Sequence, residues 1–289
     1  MPYFVIGCQE DPMETLMNGI KEFFGWGGYT REPEGFMSFE HLAFVTSLMI
    51  VMIGLAVLFG LLNRNKDEKI KNRVLIVAAI LIDACELFKI VYLCFRGNDP
   101  WGWLYNLPLF LCSIQLIAIP LAAFSKGRMR EAALDFVFIF GILGAILGTY
   151  GAGQNYGCYP VLSFDNVVSG ITHSISGCAS LYIGFSGQIS MKKRNMPITF
   201  AILGGFCVAA YIANVSVDYN YMFLMRGDGT PYDILYNLVG GHPVFYPLSV
   251  VALFLLYITA FYLVLFGIRA IKRKKAAVKD EETPVLETV

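Results

Sequence analysis

The sequence has few charged residues, and this shortage narrows the class of protein. Only 15% of the residues are Asp, Glu, Lys or Arg, whereas 56% are hydrophobic and the mean hydropathy is +0.59. A soluble domain carries about 25% charged residues, so the composition indicates an integral membrane protein. The formal net charge is zero, and no nucleic-acid partner is expected.

Histidine is also scarce, with three in the chain, and the seven cysteines show no zinc-ligand spacing. Neither a metal nor a cofactor is therefore expected. Most of the cysteines lie inside apolar runs, where cysteine usually behaves as a small hydrophobic residue. The sequence shows no repeat, no linker and no second soluble domain.

Seven apolar runs dominate the chain. Each is about 20 residues long, which is enough for a helix to cross a hydrocarbon core of about 30 Å. The sequence therefore predicts an all-α, polytopic membrane protein with a seven-transmembrane-helix bundle at 42–268. A segment at 1–41 precedes the bundle and a basic tail at 269–289 follows it. In chain order the runs cover residues 42–63, 74–95, 103–124, 131–150, 165–188, 197–216 and 246–268.

The basic residues alternate between the two ends of these runs. Seventeen lie in the tail and in the connections after the first, third and fifth runs, and four lie on the other side. By the positive-inside rule, the N-terminus lies outside and the C-terminus in the cytoplasm. The sequence therefore predicts a multi-pass protein located in the cell membrane. The four outside residues are Lys21, Arg31, Arg96 and Arg226.

The N-terminal segment allows two interpretations. Met13, Leu16, Ile20 and Phe23 recur at helical spacing, which favours a short helix lying on the outer membrane surface. The alternative is a loosely ordered tail. The segment carries acidic residues and lacks a long apolar core, so no cleavable signal peptide is expected.

Ionisable side chains inside the second run are costly in a membrane and are therefore candidates for function. Asp83, Glu86 and Lys89 follow one another at intervals of three, so that Glu86 and Lys89 can pair. The simpler interpretation is that these groups only neutralise one another within the bundle.

The third run combines prolines with polar side chains. Pro108 and Pro120 each remove a backbone donor, which leaves carbonyl groups in need of other partners. Cys112 and Gln115 lie between them on one helical face, and Asn106 precedes them. A single cysteine in such a run is more often a packing residue than a nucleophile.

The fifth run contains His173, the one histidine inside a predicted span. Ser169 and Ser176 share its helical stripe, and a stripe of small polar residues suits close packing or a wet cavity. A histidine satisfied by a carbonyl of a neighbouring helix is the competing interpretation.

Helical rise brings three of these residues to one depth. Cys112, His173 and Glu86 all lie about 12 to 14 Å from the outer ends of their runs. An imidazole that takes the proton of a thiol makes it a nucleophile, and a carboxylate on the other ring nitrogen can hold the tautomer. Attack on a lipid ester would give an acyl-thioenzyme.

Several motifs add a family resemblance. They are the acid in the second run, LPLFLCSI in the third, the histidine early in the fifth, DYNYMFL after the sixth and GGHPVFYP before the seventh. Over roughly residues 38–268 this pattern resembles the bacterial YwaF family of integral membrane proteins, which is related to the eukaryotic transmembrane protein 164, a lipid acyltransferase.

The resemblance implies roles for particular residues. Cys112 looks like the cysteine nucleophile, His173 like its partner, and Glu86 falls at the acid of the second run. Bacterial members often read LPLHLC, whereas this chain has Phe110 in place of that histidine. The supporting residues expected are Glu86, Lys89, Gln115 and Asn106, and the substrate-binding residues expected are Asn220, Tyr221, Ser169 and Ser176.

Several functions are compatible with these features of the sequence. The first is a membrane-embedded, cysteine-dependent acyltransferase that moves fatty acyl chains between phospholipid and lysophospholipid, with a lipase-like hydrolase as its near neighbour. The second is a non-enzymatic lipid-binding or transport protein. A receptor is disfavoured, because the seventh run has no lysine for a retinal Schiff base and no DRY-like or NPxxY-like motif is present.

Overall fold

The computed structural model describes residues 12–282, with side chains described for residues 13–274. Within these residues all regular structure is helical. The parts of the terminal segments at 1–11 and 283–289 lie outside the described residues. The α-helices are α1 Pro12–Phe24, α2 Phe39–Asn63, α3 Glu68–Arg96, α4 Gln115–Phe124, α5 Gly127–Leu147, α6 Gly153–Cys158, α7 Phe164–Phe185, α8 Met196–Val217, α9 Asp233–Leu238 and α10 Phe245–Glu282. Short 3₁₀ helices occur at Gly102–Tyr105, Lys193–Asn195 and Tyr221–Phe223.

In the part of the chain that the structure describes, three helical stretches are long and apolar enough to cross a membrane: Phe39–Asn63, Lys193–Val217 and Phe245–Lys274. The first and last belong to α2 and α10, and the second contains α8. α5 and α7 have similar lengths of 21 and 22 residues, but polar side chains such as Asp135 and His173 lower their apolar character. The all-helical class is confirmed, and the count of seven spans stays a prediction.

The third predicted span is not one continuous helix. Residues 106–114 connect the 3₁₀ turn Gly102–Tyr105 to α4, which has only 10 residues. A helix of 10 residues is about 15 Å long, half of a hydrocarbon core. Pro108 explains the break, because it has no backbone N–H and disfavours the helical conformation of the preceding residue. The rise of about 1.5 Å per residue, on which the predicted depth of Cys112 rests, therefore does not apply between residues 106 and 114.

α7 lies at the centre of the bundle and packs against α2, α3 and α5. Small residues permit this close approach. A Cβ added at Gly141 of α5 would lie 2.7 Å from the Cβ of Ser180 on α7. Gly177 of α7 similarly faces Ala145 of α5 and Met52 of α2. Without side chains at the glycines, the helix backbones approach closely enough to pack over most of their length.

α8 and α10 complete the bundle on the far side of α5. The connection between α7 and α8 is held in place by the buried carboxylate of Asp135 on α5. It accepts hydrogen bonds from the backbone N–H groups of Ser190 and Met191, and from the Tyr262 hydroxyl at 3.2 Å. The guanidinium of Arg269 donates to the carbonyls of the same two residues.

The N-terminal segment contains α1 and docks against the ends of α3 and α7. Met13 and Leu16 of α1 are exposed, as expected of a helix with an apolar face turned away from the bundle. On the docked side, the Tyr92 hydroxyl donates to the carbonyl of Phe24 at 2.8 Å. The helix at 12–24 agrees with the spacing of its apolar residues, and its placement at a membrane interface stays a prediction.

Candidate functional site

A cavity of about 400 Å³ lies between α3, α7 and the segment 106–114. Its wall combines apolar side chains with charged and hydroxyl-bearing ones. It is therefore shaped for a ligand with both an apolar and a polar part. The lining residues are Ile82, Glu86, Lys89, Leu93, Tyr105, Asn106, Leu107, Phe110, Cys112, Ser113, Leu116, Asn155, Tyr159, Asp165, Ser169, Thr172, His173 and Tyr219.

Cys112 reaches this cavity from the irregular segment before α4. The segment is held by its own side chains. The Ser113 hydroxyl accepts from the N–H of Phe110 and donates to its carbonyl, at 3.0 and 3.1 Å. Further back, the N–H of Leu107 donates to the Tyr221 hydroxyl at 3.1 Å. The thiol is thus presented by a loop whose backbone groups are tied down, which fixes its position despite the missing helix.

His173 reaches the cavity from α7, and its tautomer follows from its hydrogen bonds. Its Nδ1 lies 2.7 Å from the carbonyl oxygen of Ser169, one helical turn earlier. A carbonyl oxygen only accepts, so Nδ1 carries the proton and donates it. Nε2 of the neutral ring is then the acceptor.

The thiol of Cys112 and the imidazole of His173 lie next to each other in the cavity, close enough to interact. The backbone N–H groups of Cys112 and Ser113 also lie near the sulfur. Since Nδ1 already donates to Ser169, Nε2 is the ring nitrogen that is left to accept a proton from the thiol. This is the arrangement in which an imidazole can take the thiol proton.

Glu86 does not hold the histidine tautomer. Its carboxylate pairs with the Lys89 ammonium at 2.5 Å, as the spacing of three residues predicts. The expected carboxylate on the second ring nitrogen is therefore replaced by the Ser169 carbonyl. Both members of the Glu86–Lys89 pair line the cavity and give its wall a charge of each sign.

The remaining predicted supporting residues divide into two groups. Asn106 and Ser169 line the cavity, and Asn106 also donates to the Gly102 carbonyl at 3.0 Å. Gln115 and Ser176 do not line it. Both are buried, and within the described part of the chain neither the Gln115 amide nor the Ser176 hydroxyl has a hydrogen-bond partner.

Asn220 and Tyr221 do not line the cavity either, because their polar atoms are used inside the connection after α8. The Asn220 amide donates to Asp228 at 2.7 Å and accepts from the N–H of Met225 at 2.9 Å. The Tyr221 hydroxyl joins that connection to the segment before Cys112. In the structure both side chains act as ties between loops, and the expected role of Asn220 and Tyr221 in substrate binding stays a prediction.

Several cavity residues were missed by reasoning from sequence. Asp165, Tyr159 and Asn155 lie at the end where α7 begins and come from loops or helix ends, where sequence pattern gives no direction. Arg96 binds the Asp165 carboxylate there. Only weak features of the sequence indicate these residues. Asp165 is an acid at the start of the fifth run, and Arg96 is an arginine at the end of the second.

Burial and the Asp165 carboxylate shift the pKa values of several groups at this end of the cavity. Burial and the hydrogen bond to Asp165 raise the pKa of Tyr29 to about 12. The same carboxylate raises the pKa of Arg96. Burial together with the Asp165 charge raises the pKa of Tyr159. At neutral pH Arg96 is therefore a cation, and Tyr29 and Tyr159 are neutral.

The fold and the cavity define a class: an all-helical membrane protein with an amphipathic cavity that contains a cysteine–histidine pair. Within that class, the model of the TMEM164 family matches residues 36–271, and the chain belongs to that family. The resemblance to the transmembrane protein 164 family is thereby confirmed, and the resemblance to the bacterial YwaF family stays a prediction. Comparison with curated proteins and with solved structures gave no match.

Proposed function

We propose that the protein is a membrane-embedded, cysteine-dependent acyltransferase that moves fatty acyl chains between phospholipid and lysophospholipid. The observation that carries this proposal is the pairing of the Cys112 thiol with the imidazole of His173 in one cavity. The TMEM164 match supports it, because the related transmembrane protein 164 is the member to which the sequence resemblance attaches this chemistry. The proposal places the seven spans in the cell membrane with the N-terminus outside.

The first half-reaction forms the acyl-enzyme. Nε2 of His173 takes the proton of Cys112, and the sulfur attacks the ester carbonyl of the donor phospholipid. The backbone N–H groups beside the sulfur stabilise its negative charge. The carbon–sulfur bond forms as the carbon–oxygen bond breaks, and the imidazolium gives its proton to the departing lysophospholipid alkoxide.

The second half-reaction reverses these roles. The hydroxyl of an acceptor lysophospholipid gives its proton to Nε2 of His173, and its oxygen attacks the thioester. The carbon–sulfur bond breaks, and the sulfur recovers its proton from the imidazolium. No oxidant, metal or other co-reactant enters the balance. Water in place of the acceptor would give the lipase-like hydrolysis instead.

The cavity wall suits both parts of such a substrate. Ile82, Leu93 and Leu116 offer apolar surface to an acyl chain. The Glu86–Lys89 pair offers charges of both signs to a polar headgroup. A purely lipid-binding or transport role would use the same wall without the thiol. The reactivity of Cys112 therefore distinguishes an acyltransferase from a lipid-binding or transport protein.

The test is exchange of labelled fatty acid between phospholipid and lysophospholipid by purified protein in nanodiscs. Cys112→Ser and His173→Ala should each lose at least about 100-fold, the usual contribution of a positioned general base. The double variant should be little worse than either single one, since the residues act as a unit. Cys178→Ser is the matched control, because this cysteine lies on α7 and does not line the cavity.

Full exchange in Cys112→Ala would reject the covalent mechanism. No exchange by the native protein across several headgroups, combined with stoichiometric co-purification of lipid, would favour the binding or transport reading.

A further inference from the structure

The end of α5 lies beside the Cys112–His173 pair. Gly144 in its last turn and Gly148, the residue that follows the helix, are one turn apart there. A Cβ added at Gly144 would lie 3.4 Å from both Cα and Cβ of Cys112, which is ordinary van der Waals contact. A Cβ added at Gly148 would overlap the Cδ2 and Nε2 atoms of His173. The Cδ2–Nε2 edge of the imidazole therefore occupies the space that a side chain at position 148 would fill.

Backbone conformation does not require glycine at position 148. Its φ of −79° and ψ of −4° lie in the right-handed region that any residue adopts. Its N–H donates to the Gly144 carbonyl at 2.8 Å, as an alanine N–H would. Space for the imidazole is thus the property that alanine would remove.

We propose that Gly148 is a positioning residue, which holds the Nε2 edge of the His173 ring against the Cys112 thiol. This inference rests on the proposed function. The ring is bounded on two sides: the Ser169 carbonyl holds Nδ1, and the α-carbon of Gly148 lies against Nε2 and Cδ2. A methyl group at 148 would displace the ring from its position beside the thiol, although the histidine itself would still be present.

A purely structural role for Gly148, in packing α5 against α7, makes a different prediction. A variant at Gly141 distinguishes positioning of the imidazole from helix packing. A Cβ there would lie 2.7 Å from Ser180 Cβ and 2.9 Å from the Ser176 carbonyl oxygen. Gly141→Ala therefore strains the same pair of helices away from Cys112. Gly204→Ala on α8 is the baseline, since nothing lies within 4 Å of an added Cβ there.

The readout is the alkylation rate of Cys112 by iodoacetamide as a function of pH, in nanodiscs, with the modified residue identified by mass spectrometry. Native protein and Gly204→Ala should react readily near pH 7. Gly148→Ala should need a higher pH and match His173→Ala, with a rate at pH 7 lower by at least about tenfold, because only the thiolate reacts. Gly141→Ala should keep the native pH profile even where its melting temperature falls.

The charged and titratable groups that face the pair remain in every variant, so they do not confound the comparison. They are Glu86 and Lys89 from α3, Asp165 from α7, and Tyr105, Tyr159, Tyr219 and Tyr232 from the connections.

A second measurement covers the case in which Gly148→Ala folds poorly. If overlap with the imidazole is the cause, removing the ring relieves it, and Gly148→Ala/His173→Ala should melt at a higher temperature than Gly148→Ala. A native pH profile in Gly148→Ala, an equal shift in Gly141→Ala, or no recovery in the double variant would each overturn the positioning role.

Alkylation requires no acyl transfer, so the two proposals fail separately. A Gly148-dependent pH profile in a protein that exchanges no fatty acid would retain the positioning role and reject the proposed function. Fatty acid exchange that is unchanged in Gly148→Ala would do the reverse.

Discussion

The guanidinium of Arg96 binds both carboxylate oxygens of Asp165, at 2.6 and 2.8 Å. Its Nη1 also donates to the carbonyl of Phe24 and to the Tyr29 hydroxyl, at 3.1 and 3.2 Å. One side chain at the end of α3 therefore joins α7 to the N-terminal segment. Because Asp165 lines the cavity, this contact links the segment to the candidate site.

Arg96→Ala should destabilise the protein strongly and release the N-terminal segment. The side chains of Arg96 and Asp165 are 17% and 9% exposed, and removing one partner of a buried pair typically costs about 3–5 kcal/mol. Thermal unfolding in detergent, with tryptic cleavage at Lys21 and Arg31, measures both effects.

Arg226→Ala is the control for that experiment. Its pair with Asp228 lies on the surface, where such pairs contribute about 0–1 kcal/mol. Equal losses in the two variants would show that Arg96 is an ordinary surface cation.

Tyr29 should ionise far above the usual pH of a tyrosine. Its pKa is raised to about 12, so its contribution to docking is complete below about pH 10 and is lost as the pH rises towards 12. The absorbance at 295 nm of the native protein minus that of Tyr29→Phe isolates this residue. A midpoint near pH 12 is expected, and a midpoint near 10 would mean that Tyr29 is not engaged by Asp165.

Two glycines of α2 should respond oppositely to alanine. A Cβ at Gly60 would collide with the Cβ of Phe185 on α7, and overpacking typically costs about 1–3 kcal/mol. Gly54 on the same helix has nothing within 4 Å of an added Cβ. Gly54→Ala should be neutral or stabilising by up to about 1 kcal/mol.

Melting temperatures of these two variants in one detergent give the comparison. A Gly60→Ala variant as stable as Gly54→Ala would contradict the packing of α2 on α7.

The proposed orientation can be tested with a cysteine that the chain already contains. Cys158 is exposed in the connection before α7, on the side that carries few basic residues. A membrane-impermeant maleimide added to intact cells should label it. A cysteine introduced by Lys66→Cys in a Cys158→Ser background should be labelled only after permeabilisation. Equal labelling from outside would overturn the orientation.

Sequence predicted the helices of the bundle well because apolar runs and helical length are local properties. α2 and α8 begin and end within a few residues of the predicted runs. The run at 103–124 was mispredicted because hydropathy does not distinguish a helix from an irregular segment buried in protein. Pro108 carried the signal for that break.

The candidate site was only partly predictable, because sequence does not give the direction of a side chain. Cys112 and His173 meet, whereas Asn220 and Tyr221 hold loops together. The contribution of Gly148 is invisible in composition, since only the fold shows which atoms occupy the space beside a glycine. Its spacing of four from Gly144, a small-xxx-small pattern, was the available signal.

Trapping the thioester on Cys112 tests the central claim most directly. Native protein in nanodiscs is incubated with a phospholipid that carries a labelled acyl chain, quenched in acid and analysed by peptide mass spectrometry. The account predicts an acyl mass on the peptide containing Cys112, removed by hydroxylamine or by added lysophospholipid and strongly reduced in His173→Ala. Acyl exchange by the native protein without any adduct at Cys112, or with an adduct of equal yield in His173→Ala, would contradict it.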